Sequence, residues 1–200
     1  MAVEGANGLI AAIADAHSLE AAGEKILSPL SDGRLATAAL PYDGPVALDG
    51  NLTLDLLSEI TRSALFSKAD LRVAPASPGK AERLMPFIQT GHGTIYVNLE
   101  EAGVLCHKQF SNSAQAAEGL LSSGASRVLV TNGGSDASAG DQTGIITRTP
   151  PQVLVTRVTG AGDTFMAAHI AAETEGSPAE EALEKALTAA ASYVSGETSL

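Results

Sequence analysis

Between Pro45 and Thr131 short apolar runs alternate with amphipathic stretches, and this alternation limits the possible folds more than any other feature of the chain. Val46-Ala47-Leu48-Asp49 is an apolar run ending in polar residues, after which Thr53 caps an amphipathic helix through Leu54, Leu57, Ile60 and Leu65. Leu71 to Pro75 repeats the theme, with Ser77-Pro78 opening a helix over Gly79 to Ile88. Thr94 to Asn98 is the next strand, followed by a short helix over Glu100 to Leu105. Asn112-Ser113 starts another helix that stops at Gly124, and Arg127 to Thr131 is a further strand. Strand–helix units joined by short connections predict a mostly parallel sheet covered by helices on both faces, the doubly wound α/β class. The Ser/Gly/Asp-rich segment from Gly134 to Thr149 breaks the rhythm and predicts an antiparallel hairpin at one edge of that sheet. Beyond Pro150-Pro151 a last short strand is expected at Val153 to Val155, then helices over Ala161 to Thr174 and Pro178 to Val194.

The N-terminal part carries less signal. Asn7 to Asp15 reads as a turn and a strand apolar on both faces, hence a buried one lacking partner strands, which also suits pairing between two copies of the chain as a homodimer. Ser18 is placed to cap a helix over Leu19 to Leu27, and a weak helical pattern spans Leu35 to Leu40. The 200 residues, 44% of them hydrophobic, suit one domain spanning 1–200.

Where the expected strand at 153–155 meets the following helix stands Val158-Thr159-Gly160-Ala161-Gly162-Asp163-Thr164-Phe165. Two glycines flanking Ala161 let the backbone come close to a ligand while the first free amides of a helix point outward, which makes an anion site. Asp163 follows at once, so a carboxylate sits beside the place where phosphate charge is neutralised and can take a proton from an attacking hydroxyl. The alternative is that Asp163 only caps the helix.

Charge narrows the partners. With 12 Lys+Arg against 23 Asp+Glu the chain carries a net charge of −11 and has a pI of about 4.7, and no basic stripe suits a polymeric nucleic acid. Cys106 is the single cysteine, so no intrachain disulfide forms, and the histidines show no metal-ligand spacing. No basic leader precedes an apolar run long enough for a bilayer, and the cysteine usage fits a reducing, cytoplasmic setting.

Thr159-Gly160-Ala161-Gly162-Asp163-Thr164-Phe165 and the Ala-rich helix after it resemble the signature of the ribokinase-type (phosphofructokinase-B-type) carbohydrate kinases. The resemblance implies ATP as phosphoryl donor, Gly160, Ala161 and Gly162 as the anion hole, and Asp163 as the base that activates the acceptor alcohol. Asn98-Leu99-Glu100-Glu101 resembles the family's N-x-x-E stretch, which implies that Asn98 serves the nucleotide and Glu101 a Mg2+ ion through water. An acidic helix start suited to the dipole explains those residues as well. Thr131-Asn132-Gly133-Gly134 resembles T-x-G-x-x-G, with Asp136 or Ala137 in place of the last glycine, and implies ATP contacts for Thr131, Gly133 and Gly134. A plain strand-to-hairpin turn is the other reading there. Asp49-Gly50-Asn51 looks like the family's D-x-N, on the substrate side, and equally like an Asx turn leading to Thr53. The four motifs occur in the family's order.

Two departures accompany these matches. Arg157 stands three residues before Gly160, where the family usually has an aspartate associated with a potassium ion, so K+ dependence is in doubt. Family members are also about a hundred residues longer at the N-terminus, a part that carries the sugar-holding residues. Within the family, Asn7 to Asp15, Leu48 to Leu52, Pro75-x-Ser77-x-x-Lys80-Ala81-x-Arg83-Leu84 and Val158-Thr159 look most like the pseudouridine kinase branch, which implies the 5′-hydroxyl of pseudouridine as acceptor; another sugar or nucleoside kinase, or a nucleotide-binding remnant without turnover, are the alternatives. His169 reads as a packed core histidine, and Lys80 as a solvated lysine with a buried stem or a phosphate contact.

Overall fold

The computed structural model describes residues 2–5 and 8–12 as main chain, and residues 17–196 in full. Strands β1 (Ala2–Gly5) and β2 (Gly8–Ala12) form an antiparallel pair that is a sheet of its own. The opening strand thus exists over Gly8–Ala12 but has β1 as its partner, whereas it was expected to have none; Asn7 and residues 13–15 lie outside the described residues. The helix expected from Leu19 to Leu27 is divided into α1 (His17–Ala22) and a 3-10 turn (Gly23–Leu27), because Gly23 takes a φ of 50° that no α-helix continues. A short α2 (Ser28–Ser31) follows. No helix forms over Leu35 to Leu40: Thr37 and Leu40 exchange main-chain bonds of 2.9 and 3.1 Å in a local turn, and Leu40 faces water.

From here the chain follows the alternation. It runs through β3 (Pro45–Asp49), α3 (Leu54–Arg62), β4 (Asp70–Ala74), a 3-10 helix (Pro78–Leu84) and α4 (Met85–Thr90). It continues through β5 (Thr94–Asn98), α5 (Leu99–Cys106), α6 (Ser113–Ser122) and β6 (Arg127–Asn132), then the hairpin β7 (Ser135–Asp141) and β8 (Gly144–Arg148). Last come α7 (Ala161–Thr174) and α8 (Ala179–Ser195). Thr53 caps α3 by accepting from the Leu56 amide at 3.3 Å, and Asn112 caps α6 by accepting from Gln115 at 2.9 Å. The single helix expected over Gly79 to Ile88 is a 3-10 segment followed by α4, with Pro86, which has no amide to donate, in the opening turn of the latter.

The expected strand at Val153 to Val155 is absent. Pro150 and Pro151 offer no amide to a ladder, and Leu154 and Val155 are exposed, Leu154 to 82%.

Six strands lie in the order β3-β4-β5-β6-β7-β8, parallel up to β6 and antiparallel after it, so the predicted mostly parallel α/β sheet with an edge hairpin is what forms. Because this order never reverses, right-handed crossovers put α3 to α6 on one face. There Leu71, Val73, Ile95, Val97, Val128 and Val130 join Leu57, Ile60, Phe87 and Leu120. Alternation along the strands turns Tyr96, Leu129, Ala137 and Ala139 to the other face, which α7 and α8 cover with Phe165, Met166, Leu183 and Leu187.

The same face carries buried charge. Arg72 donates to Asp70 at 2.6 Å, to Glu173 at 2.5 Å and to the Tyr96 hydroxyl at 3.0 Å, and Arg127 also binds Glu173. This network fastens the far end of α7 to β4, β5 and β6, each charge meeting an opposite one as burial demands. Among the described residues no helix is long and apolar enough to cross a membrane.

Candidate active site

Helix α7 starts on a glycine turn. Gly160 is its cap, at φ 91° and ψ −2°, a conformation that side-chain-bearing residues rarely take. Both the amide and the hydroxyl of Thr164 donate to the Gly160 carbonyl, at 2.9 and 2.8 Å, and the Ala161 amide donates to Val158 at 3.1 Å. The first amides of a helix lack intrahelical acceptors; that of Ala161 is taken by Val158, which leaves the Gly160 and Gly162 amides as the donors this turn offers to an anion. Asp163 is the third helical residue and therefore does not hold the cap position. Its carboxylate is exposed, and among the described residues no hydrogen bond or ion pair engages it.

Beside this turn lies a cavity of about 360 Å³. The β6–β7 turn contributes Thr131, Gly133 and Gly134, the irregular segment contributes Pro150 to Val153 with Val155 and Val158, and α7 contributes Ala161, Gly162 and Phe165. Leu187, Ala190, Ala191 and Val194 of α8 make the remaining wall. Three glycines, Thr131 and Gln152 thus share a lining that is otherwise apolar. Such a site takes a flat apolar group and orients a polar tail.

The other motif residues sit along the same carboxyl edge of the sheet but do not line this cavity. Asn98 ends β5 directly opposite Thr131 of β6. Asn98 and Glu101 form a reciprocal cap on α5: the Asn98 side chain accepts from the Glu101 amide and the Glu101 carboxylate accepts from the Asn98 amide, each at 2.9 Å. Burial pushes the Glu101 carboxyl above its ordinary range, although the Asn98 amide opposes this. Asp49 ends β3 and makes an Asx turn, accepting from the Asn51 amide at 2.9 Å and from the Asn51 side chain at 2.7 Å. Lys80 is half-buried, not free in solvent, and its Nζ donates to the Asn51 side-chain oxygen. Arg83 reinforces this corner by donating to the Gly50 and Leu52 carbonyls at 3.0 and 3.2 Å.

Sequence reasoning missed Tyr193, Lys80's bond to Asn51 and the α8 wall, all supplied by residues remote in the chain from the motif they support. His169 is fully buried, as its Ala-rich surroundings predict. Among the described residues no three His, Cys, Asp or Glu side chains converge on one point as a metal cage.

An α/β sheet whose carboxyl edge faces a glycine turn and an adjoining free carboxylate is the architecture of the ribokinase-like kinases. The chain belongs to the pfkB family of carbohydrate kinases, whose family model matches residues 35–199. Among solved structures, a carbohydrate kinase from Agrobacterium tumefaciens is similar over 95% of this chain and 61% of its own, at 27% identity and a TM-score of 0.73. Ribokinase from Thermotoga maritima shares the fold over 77% of this chain and 50% of its own, at 22% identity and a TM-score of 0.63. Adenosine kinase from Sinorhizobium meliloti does so over 75% and 48%, at 19% identity and 0.64. The chain therefore spans about three fifths of the length of the first of these relatives. No curated protein sequence matches it.

Proposed function

We propose that the protein is an ATP-dependent kinase that phosphorylates an alcohol of a sugar or nucleoside, with the 5′-hydroxyl of pseudouridine as the acceptor. The observation that carries this reading is the adjacency of three features: a largely apolar cavity, the glycine turn whose Ala161 and Gly162 form part of its wall, and an exposed carboxylate, unengaged among the described residues, next in the chain. The adenine enters the apolar part between the 150–158 segment and α8, and Thr131, Gly133 and Gly134 direct the phosphates toward α7. The backbone of Gly160, Ala161 and Gly162 holds the charge that develops on the transferred group, an electrostatic contribution that needs no reorganisation at the moment of transfer. Asp163 accepts the proton of the attacking hydroxyl, a role suited to a carboxylate that has no partner to give up.

Asn98 and Glu101 serve the donor side. A magnesium ion is carried by phosphates and needs only one or two protein carboxylates, which fits a chain without a three-ligand cage among its described residues. Glu101 would hold such an ion through water, and the ion would supply neutralisation of phosphate charge. Asp49 and Asn51, ordered by Lys80, face the acceptor side. Arg157 stands where an acidic residue would attract a potassium ion, which argues against K+ dependence.

The test is a coupled assay of ADP release with pseudouridine, uridine, adenosine, ribose and fructose as acceptors. Turnover with pseudouridine at least about tenfold above the others supports the acceptor. Equal rates with all five refute it, and ATP binding without acceptor-dependent ADP refutes the kinase.

A further inference from the structure

Residues 156–160 have no regular secondary structure of their own, yet they deliver the glycine turn to its place. The last turn of α8 holds them at several points. The Thr156 and Arg157 amides donate to the Val194 carbonyl at 2.8 and 3.2 Å. The Arg157 guanidinium lies 3.9 Å above the Tyr193 ring, and its Nε donates to the Tyr193 carbonyl at 2.7 Å. The Tyr193 hydroxyl donates at 2.8 Å to the carbonyl of Thr159, the residue before Gly160. A Cβ on Gly160 would stand 2.6 Å from that hydroxyl, so the glycine's missing side chain is the space the tyrosine occupies.

We infer that Tyr193, locked by Arg157, is a positioning residue for the anion turn, setting the direction of the Gly160–Gly162 amides toward the phosphoryl group. This rests on the kinase reading above for its catalytic half. The clamp joins the turn at one carbonyl, immediately before the residue whose positive φ starts the helix, so a small rotation there redirects every amide that follows. A stacked guanidinium with a bond to the main chain stiffens the tyrosine more than a ring contact alone does.

The experiment uses the chain bearing Tyr193→Phe, which keeps the ring and loses only the hydroxyl, with Arg157→Ala and Arg157→Lys beside it. Hydrogen exchange of the Ala161 and Thr164 amides is followed by NMR without ligand, then kcat and KM for ATP are measured. Exchange of both amides should rise about tenfold in Tyr193→Phe and Arg157→Ala, with amides in the middle of α8 unchanged. In those two variants kcat should fall about tenfold while KM for ATP stays within about twofold, the pattern of a group that acts on transfer and not on binding. Arg157→Lys, which keeps a cation and a donor, should recover part of both effects. Unchanged exchange in Tyr193→Phe overturns the inference, and so does faster exchange with an unchanged kcat. Faster exchange in a protein whose parent chain shows no turnover supports the clamp and removes the kinase reading instead.

Discussion

The hydroxyl of Tyr96 lies 2.9 Å from Nδ1 of His169 beneath the sheet, where the imidazole is fully buried and its Nε2 has no partner among the described residues. Burial pushes this imidazole down from 6.5 to about 4; Glu173 opposes the shift, and Arg127 and Arg72 add to it. The unfolded chain therefore binds a proton below 6.5 that the folded chain refuses until about 4. Stability is complete above that window and declines as pH falls through it, by at most about 3 kcal/mol. Glu173 is depressed as well, since its bonds to Arg127 and Arg72 outweigh its burial, and it extends the loss to lower pH. Thermal melts from pH 7 to 4 should show this decline, and His169→Phe, which leaves Tyr96 bonded to Arg72, should flatten its upper part.

Replacing Asp163 by Asn separates chemistry from folding. The side chain is exposed and unengaged, so the melting temperature should not change. On the proposed role of Asp163 as general base, kcat should fall by about 10²–10⁴ with nucleotide affinity retained, as measured by coupled kinetics and calorimetry.

Two glycines at the carboxyl edge should behave in opposite ways. A Cβ on Gly50 would press into the Pro75 carbonyl, which belongs to the backbone and cannot rotate away, so Gly50→Ala should cost about 1–3 kcal/mol in denaturant unfolding. A Cβ on Gly162 meets open space within a helix, so Gly162→Ala should leave stability equal or raise it by about 0.5–1 kcal/mol. On the proposed anion-hole role, turnover in the second variant should nevertheless drop, because the new methyl would occupy room needed by phosphoryl oxygens.

Glu101→Gln distinguishes a cap from a metal contact. The amide oxygen still accepts from the Asn98 main chain, and relief of a buried charge offsets what is lost, so stability should shift by less than about 0.5 kcal/mol. The magnesium concentration for half-maximal turnover should rise. An unchanged magnesium requirement would assign Glu101 to capping alone.

The parallel strands were legible as short apolar runs alternating with amphipathic stretches, and Thr53 and Asn112 mark helix starts by chemistry that acts within three residues. Leu154 and Val155 misled for the same reason: an apolar run predicts burial, but two prolines before it prevent the pairing that burial would require. At the site, the glycine turn and Thr131 were readable as local motifs. Asn98, Glu101, Asp49 and Asn51 were equally readable as motif and as cap or Asx turn, and the geometry shows those local bonds being made. Tyr193 and the α8 wall left no local signature, since their importance comes from packing across the molecule.

The unreversed strand order also sets a sequence of events during synthesis. Each parallel strand can settle beside its predecessor as it leaves the ribosome, but the face bearing Arg72, Tyr96 and Leu129 stays wet until residues 161–195 emerge. The two closing helices thus seal the second face of the sheet, and the same act brings Tyr193 against the glycine turn.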